Sequence, residues 1–126
     1  DVGRNVITYK GFTTNISDIY NRGGVVVVIP SYHEGMNRTL MEACSTGKPI
    51  ICSRIHGCME MVSEGGNGYT VPTRDAKALA DAMLRYISLS DEEKQKMCIM
   101  SRSLAESRFA IESVIEEYKA IVAQKQ

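Results

Sequence analysis

The sequence carries no surplus charge of either sign. Lys and Arg together number 15, as do Asp and Glu, so no basic field exists to hold nucleic acid or an anionic membrane. An anionic ligand must be held locally, by backbone N–H groups or a few side chains. Long apolar runs are missing too. The longest, Val25 to Ile29, is far too short to cross a bilayer, and Asp1 opens no signal peptide. The four cysteines (Cys44, Cys52, Cys58, Cys98) form no C-x-x-C and have no paired histidines at ligand spacing, which argues against zinc. Cys44 and Cys52 sit in apolar patterns, as reduced thiols do, so the expected location is cytoplasmic. No G-x-G-x-x-G follows a strand-like run, and no aspartates cluster at strand ends. A dinucleotide-dependent epimerase or dehydrogenase and a phosphorylatable receiver domain therefore lose support.

What is there reads as one globular domain. With 126 residues, 44% hydrophobic and 24% charged, the chain can bury a real core but is small for a complete two-domain enzyme. Strand and helix signals alternate over the first two-thirds. Val6–Tyr9 is strand-like and closes at Lys10-Gly11. Ile16, Ile19 and Tyr20 have helical spacing that stops at Gly23-Gly24. Val25–Ile29, β-branched and apolar on both faces, suits a central strand of a parallel sheet. The 37–46 stretch is a helix carrying Leu40, Met41 and Cys44, with Gly47 as its stop. Ile50–Cys52 is a second buried strand, Met59–Val62 a short helix, and Tyr69–Val71 a further strand after the turn at 65–68. Beyond Pro72 the pattern is helical. Ala76–Ile87 forms one amphipathic helix, a second is capped at Ser90 and runs to about Ser107, and Phe109–Ala123 is the last.

The β-α-β alternation predicts an α/β fold, a Rossmann-like doubly wound parallel sheet with a helical tail. Such sheets bind ligands at the carboxyl ends of their strands. Three loops follow for inspection: Ser31–Arg38, Ser53–Gly57 and Gly11–Asn15.

The first is the richest. Ser31-Tyr32-His33-Glu34-Gly35-Met36-Asn37-Arg38 leaves a buried strand and enters a helix that contains Glu42. The helix N-terminus offers unpaired N–H groups and partial positive charge, which suit phosphate. Gly35 lets the backbone approach a ligand closely. If all eight steps from Glu34 to Glu42 were helical, they would span about 12 Å along the axis. A glycosidase pair needs carboxylates about 5–9.5 Å apart across one bond. The spacing suits instead the two ends of an extended ligand whose phosphates lie at the helix N-terminus, as in a nucleotide sugar, whose hydroxyls donate to carboxylates. Two plainer readings stay open: Glu34 can simply favour the positive helix end, and Glu42 can pair with Arg38 one turn earlier.

Several segments together resemble family-4 GT-B glycosyltransferases. They are Pro30-Ser31-Tyr32-His33-Glu34-Gly35, Leu40-Met41-Glu42-Ala43, Gly47-Lys48-Pro49-Ile50-Ile51, Gly57-Cys58-Met59-Glu60 and Asn67-Gly68-Tyr69-Thr70-Val71. The similarity runs in register from about Asn5 to Lys119, with Val6 to Gly11 similar to the family's N-V-x-F-x-G strand. His56 and Asn37-Arg38 depart from the usual pattern, and both bear on donor choice.

The resemblance implies that residues 1–126 are most of the donor-binding carboxyl-terminal domain of a two-domain enzyme, whose amino-terminal acceptor domain and basic Gly-Arg…Lys-Gly stretch lie outside this sequence. It implies that Glu34 contacts the transferred sugar and is the residue closest to the chemistry. Glu42 would hold the ribose, and the N–H groups of Gly35, Met36, Asn37, Arg38 and Thr39 would serve the sugar and phosphates. His33 is a further candidate donor contact. The implied activity is retaining transfer of a hexose or N-acetylhexosamine from a nucleotide sugar, UDP-linked by preference, without metal or other cofactor. The acceptor would be a glycan or lipid-linked glycan in bacterial surface-polysaccharide (capsule or lipopolysaccharide) synthesis, with the whole enzyme at the inner face of the membrane. The rival from another class is a non-enzymatic nucleotide- or effector-binding α/β module. The remaining features have plainer explanations: the seven methionines read as core filler, and Asp91–Lys96 as a solvated helix face.

Overall fold

The computed structural model describes residues 6–33 and 35–124. Its centre is a parallel sheet of three strands, β1 (Val27–Ile29), β2 (Ile50–Ser53) and β3 (Gly68–Val71), in the order β1-β2-β3. Val27 pairs with Ile50, and Ile50 with Gly68. Parallel neighbours need crossovers, which helices supply. Here α2 (Arg38–Ser45) joins β1 to β2, and α3 (His56–Met59) joins β2 to β3. The helical tail is α4 (Ala76–Ser88), α5 (Asp91–Arg108) and α6 (Ile111–Ala123), and a single turn, α1 (Ser17–Tyr20), precedes the sheet.

Both faces of the sheet are covered, as the unbroken apolar run of β2 requires: all four of its residues are buried. Ile50 and Cys52 pack with Leu40, Ala43 and Cys44 of α2, with Cys58 and Met61, and with Ala105 of α5. Ile51 faces the other way, with Tyr69 and Val71 of β3, Ala82 and Tyr86 of α4, and Met97 of α5. The expected α/β architecture with helices on both faces and a helical tail is present.

Both ends of α2 and the start of α5 have local causes. Asn37 caps α2, its side chain accepting from Leu40 N–H at 3.0 Å. The helix ends in a Schellman turn, with Gly47 N–H bonded to Cys44 O, Lys48 N–H to Ala43 O, and Gly47 at φ +67°. Ser90 and Glu93 form a reciprocal capping box on α5. Bonds from the Ser90 backbone and hydroxyl hold the Glu93 carboxyl below the usual range.

Helix α5 is tied to the amino ends of the strands by buried polar groups. Fully buried Asn67 donates to Met61 O (2.9 Å) and Ser101 Oγ (3.2 Å), and accepts from Ser63 N–H (2.7 Å). Ser101 Oγ in turn donates to Lys48 O at 2.8 Å. Arg102 and Arg108 reach back to the carbonyls of Ser45 and Glu60, at the carboxyl ends of α2 and α3. Gly68 lies directly against the Ile50 backbone, where a Cβ would overlap the Ile50 carbonyl.

The structure corrects three sequence expectations. Val6–Tyr9 forms no strand and is exposed, because an apolar run becomes a strand only where a ladder partner satisfies its backbone; among the described residues it joins none. The Val25–Ile29 run is not central. Only Val27–Ile29 is strand, at the sheet edge and half-buried, although Val27 and Ile29 face one core cluster and Val26 and Val28 the other. The short helix expected at Met59–Val62 begins at His56. Cys58 and Met59 N–H groups both bond to Ile55 O, which sets the start, and beyond the helix Asn67 holds Met61 O and Ser63 N–H. The apolar stripe of α6 (Ile111, Val114, Ile115, Tyr118, Ile121, Val122) is exposed, and no residue of that helix is buried.

Candidate functional site

The strands all point their carboxyl ends the same way, which brings three loops together above the sheet. The loop after β1 leads to the N-terminus of α2 and touches the loop after β2 through Asn37 N–H and Gly57 O, 3.4 Å apart. Beside it lies an open cavity of about 410 Å³, lined by Pro30 and Tyr32 from the first loop, Ser53 at the end of β2, and Pro72, Arg74 and Asp75 after β3. Two of the loops singled out from sequence therefore meet. Gly11–Asn15 follows no strand and lies exposed.

Of the residues expected to hold a ligand, Glu34 falls outside the described residues. Gly35 and Met36 are exposed in the loop, and a Cβ at Gly35 would meet nothing within 4 Å. Asn37 is buried, with its side chain committed to the cap of α2. Its role in the structure is to set the helix start, and its backbone is engaged as well: the N–H donates to Gly57 O and the carbonyl accepts from Met41 N–H, so the expectation that Asn37 N–H serves a ligand is not met. The first-turn N–H groups of Arg38 and Thr39 have no intrahelical acceptor, and none among the described residues. They are donors awaiting an acceptor at the positive end of the helix dipole. His33 is exposed, without a hydrogen bond or ion pair among the described residues.

Glu42 stands one turn into α2. Its Oε1 lies 3.2 Å from Arg38 Nε, with side-chain exposures of 40% and 92%, so the plainer pairing weighed from sequence is present. Tyr20 is buried, and its hydroxyl pKa is pushed up first by that burial and then by the Glu42 charge. Downstream, His56 and Glu60 approach to 3.6 Å across one turn on the surface. Among the described residues no three His, Cys, Asp or Glu side chains group closely enough to hold a metal ion.

Sequence reasoning missed the loop after β3. Arg74 stacks over the Tyr32 ring, 5.3 Å from its centroid, and has φ +58°. No spacing pattern links residues 42 positions apart, and only a strand-end placement of Pro72–Asp75 would have pointed there.

Comparison with known proteins then identifies the lineage. The family described as "Glycosyl transferases group 1" matches residues 1–88. The lipopolysaccharide core biosynthesis mannosyltransferase LpsB of Rhizobium meliloti is 31% identical over 121 residues, which is 93% of this chain and 32% of that protein. The N,N'-diacetylbacillosaminyl-diphospho-undecaprenol alpha-1,3-N-acetylgalactosaminyltransferase of Campylobacter jejuni is 26% identical over 111 residues, 88% of this chain and 28% of that protein. The chain thus spans about a third or less of the length of these relatives. Among solved structures, HepE of Anabaena in complex with UDP superposes with a TM-score of 0.81 at 21% identity, over 95% of this chain and 33% of that one, and so shares its fold. The family match covers more than half of the sequence, and with it the ordered motifs around Glu42, Gly47 and Asn67 find their common explanation: this chain belongs to the group 1 glycosyl transferases.

Proposed function

We propose that the chain is the donor-binding part of a retaining glycosyltransferase, working with an acceptor-binding domain that its longer relatives have room for. One observation carries the reading. The N–H groups of Arg38 and Thr39 have no acceptor among the described residues and stand at the carboxyl end of a parallel sheet, with the half-exposed Glu42 carboxylate one turn further along the same helix. A nucleotide sugar needs that combination: donors for its diphosphate and an acceptor for ribose hydroxyls. In this reading Glu34 binds the transferred sugar, Gly35 and Met36 add backbone donors, Asn37 holds the helix start in place, and His33 approaches the donor from the same loop. Catalysis consists of holding donor and acceptor in line and stabilising the departing diphosphate, with neither metal nor other cofactor.

The donor class is UDP-hexose or UDP-N-acetylhexosamine, supported by the shared fold with HepE, which was solved with UDP. The acceptor is a glycan or lipid-linked glycan of the bacterial surface, reached from the cytoplasmic side of the membrane. This is supported by relatives named for lipopolysaccharide core and undecaprenol-linked transfer. Calorimetry of the intact protein against UDP-glucose, UDP-galactose, UDP-N-acetylglucosamine, UDP-N-acetylgalactosamine and GDP-mannose tests it. Saturable binding of a UDP-sugar is expected. Preference for GDP-mannose would overturn the nucleotide assignment, and binding of none would overturn the function.

A further inference from the structure

Arg74 occupies a backbone conformation that does not suit it. Its φ of +58° lies in the left-handed region, where among the described residues every other occupant is glycine. The fold therefore has no backbone use for arginine here, and glycine would fit the turn better. The use must lie in the side chain. Its guanidinium sits 5.3 Å from the centroid of the Tyr32 ring, inside the range of about 6 Å over which a cation is drawn to an aromatic face. Among the described residues no carboxylate pairs with it. The adjacent Asp75 instead spends Oδ1 on the cap of α4, accepting from Ala78 N–H at 2.8 Å.

What this contact holds matters for the site. Tyr32, His33, Gly35 and Met36 are all exposed, so these four residues have little packing to order them. Asn37, which follows them, is fixed by burial and by the cap. The Tyr32 ring provides a hold at their start, reaching the turn after β3 through Arg74. We propose that Arg74 is a positioning residue, clamping Tyr32 so that the donor loop is ordered before the nucleotide sugar arrives. The inference rests on the donor-binding reading above. Ordering the loop in advance lowers the entropy cost of binding, so loss of the clamp should weaken donor affinity by about two- to fivefold, the worth of an exposed cation–π contact.

Arg74→Gly tests this cleanly, because it removes the side chain while relieving the backbone. In the variant the melting temperature should hold or rise. The ¹⁵N backbone order parameters of Tyr32, His33, Gly35 and Met36 should fall toward the flexible range below about 0.6, and affinity for the UDP-sugar that the wild type binds best should drop as stated. Arg74→Lys, which keeps the cation, should restore most of both losses, and Tyr32→Leu should reproduce them where Tyr32→Phe does not. The double variant Arg74→Gly/Tyr32→Leu should be no worse than either single one. Additive losses would mean that Arg74 touches the ligand directly, and would overturn the clamp. Unchanged order parameters in Arg74→Gly would overturn it too, whatever happens to affinity. If the wild type binds no nucleotide sugar, the function falls, while the order parameters still decide the clamp.

Discussion

Arg38 Nε and Glu42 Oε1 lie 3.2 Å apart on one face of α2, and the second carboxylate oxygen of Glu42 has no partner among the described residues. An exposed pair at this spacing is worth only about 0.3–0.5 kcal/mol, and the order Arg before Glu is the weaker one. A hydrogen bond from a ligand hydroxyl to a carboxylate contributes about 1.5–3 kcal/mol. The ligand contact wins, so the pair and a ribose-binding role are compatible.

Glu42→Ala should therefore raise the donor dissociation constant by roughly ten- to a hundredfold, the loss of one charge-assisted bond or a little more, and raise KM with a smaller effect on kcat, since ribose bonds serve ground and transition states alike. Arg38→Ala should leave donor affinity within about twofold. Calorimetry and steady-state kinetics on the intact enzyme check both. An unchanged donor Kd in Glu42→Ala removes the ribose role.

For Glu34→Gln the expected order is reversed. Turnover should fall more than UDP affinity, because free UDP has no sugar for this side chain to hold. UDP calorimetry beside a transfer assay separates the two, and a folded variant that no longer binds UDP would move Glu34 to the other end of the ligand.

Stability should hinge on residues far from the site. Asn67→Ala strips the partners from Met61 O and Ser63 N–H, both bonded to it now, and should cost about 2–4 kcal/mol in urea unfolding. Gly68→Ala places a methyl group on the Ile50 backbone and should prevent stable folding. If either variant unfolds at the wild-type midpoint, the Asn67–Ser101 tie or the β2–β3 contact has been misjudged.

How much of this was legible beforehand depended on whether the deciding forces were local. Gly47 and Ser90 announced helix ends because caps act within four residues, and Ile50–Cys52 announced a buried strand because every residue is apolar. Val6–Tyr9 looked the same, but a strand exists only through its partner, and no local pattern supplies one. The start of α3 was misplaced because it lies where Ile55 O accepts the Cys58 and Met59 N–H groups, and Ile55 carries no capping side chain to announce it. At the candidate site, the helix that follows β1 and the Arg38–Glu42 pair on it were legible through their spacing. The Tyr32–Arg74 contact joins two strand-end loops and becomes visible only in three dimensions.

The cysteines give a test in the alkaline range. Burial pushes the Cys44 thiol from its ordinary 9.0 up to about 11, and the Cys52 thiol up to about 12. Both stay neutral and enclosed near neutral pH, so iodoacetamide at pH 8 should modify the half-buried Cys98 first, and Cys44, Cys52 and Cys58 only on unfolding. Since the two folded pKa values are raised, their contribution to stability is complete below about pH 9 and is lost as pH rises through 11 to 12. Mass spectrometry of the labelled peptides and alkaline unfolding curves read the two effects. Early labelling of Cys52 would contradict the packing of the sheet.

The most direct measurement is a titration of the ¹⁵N-labelled protein with UDP-sugars, followed amide by amide. If the chain holds a nucleotide sugar at the start of α2, the largest shifts fall on Gly35, Met36, Asn37, Arg38 and Thr39, saturate with donor, and weaken in Glu42→Ala. Saturable shifts centred elsewhere, or none in this segment with any nucleotide sugar, would contradict the assignment of the site.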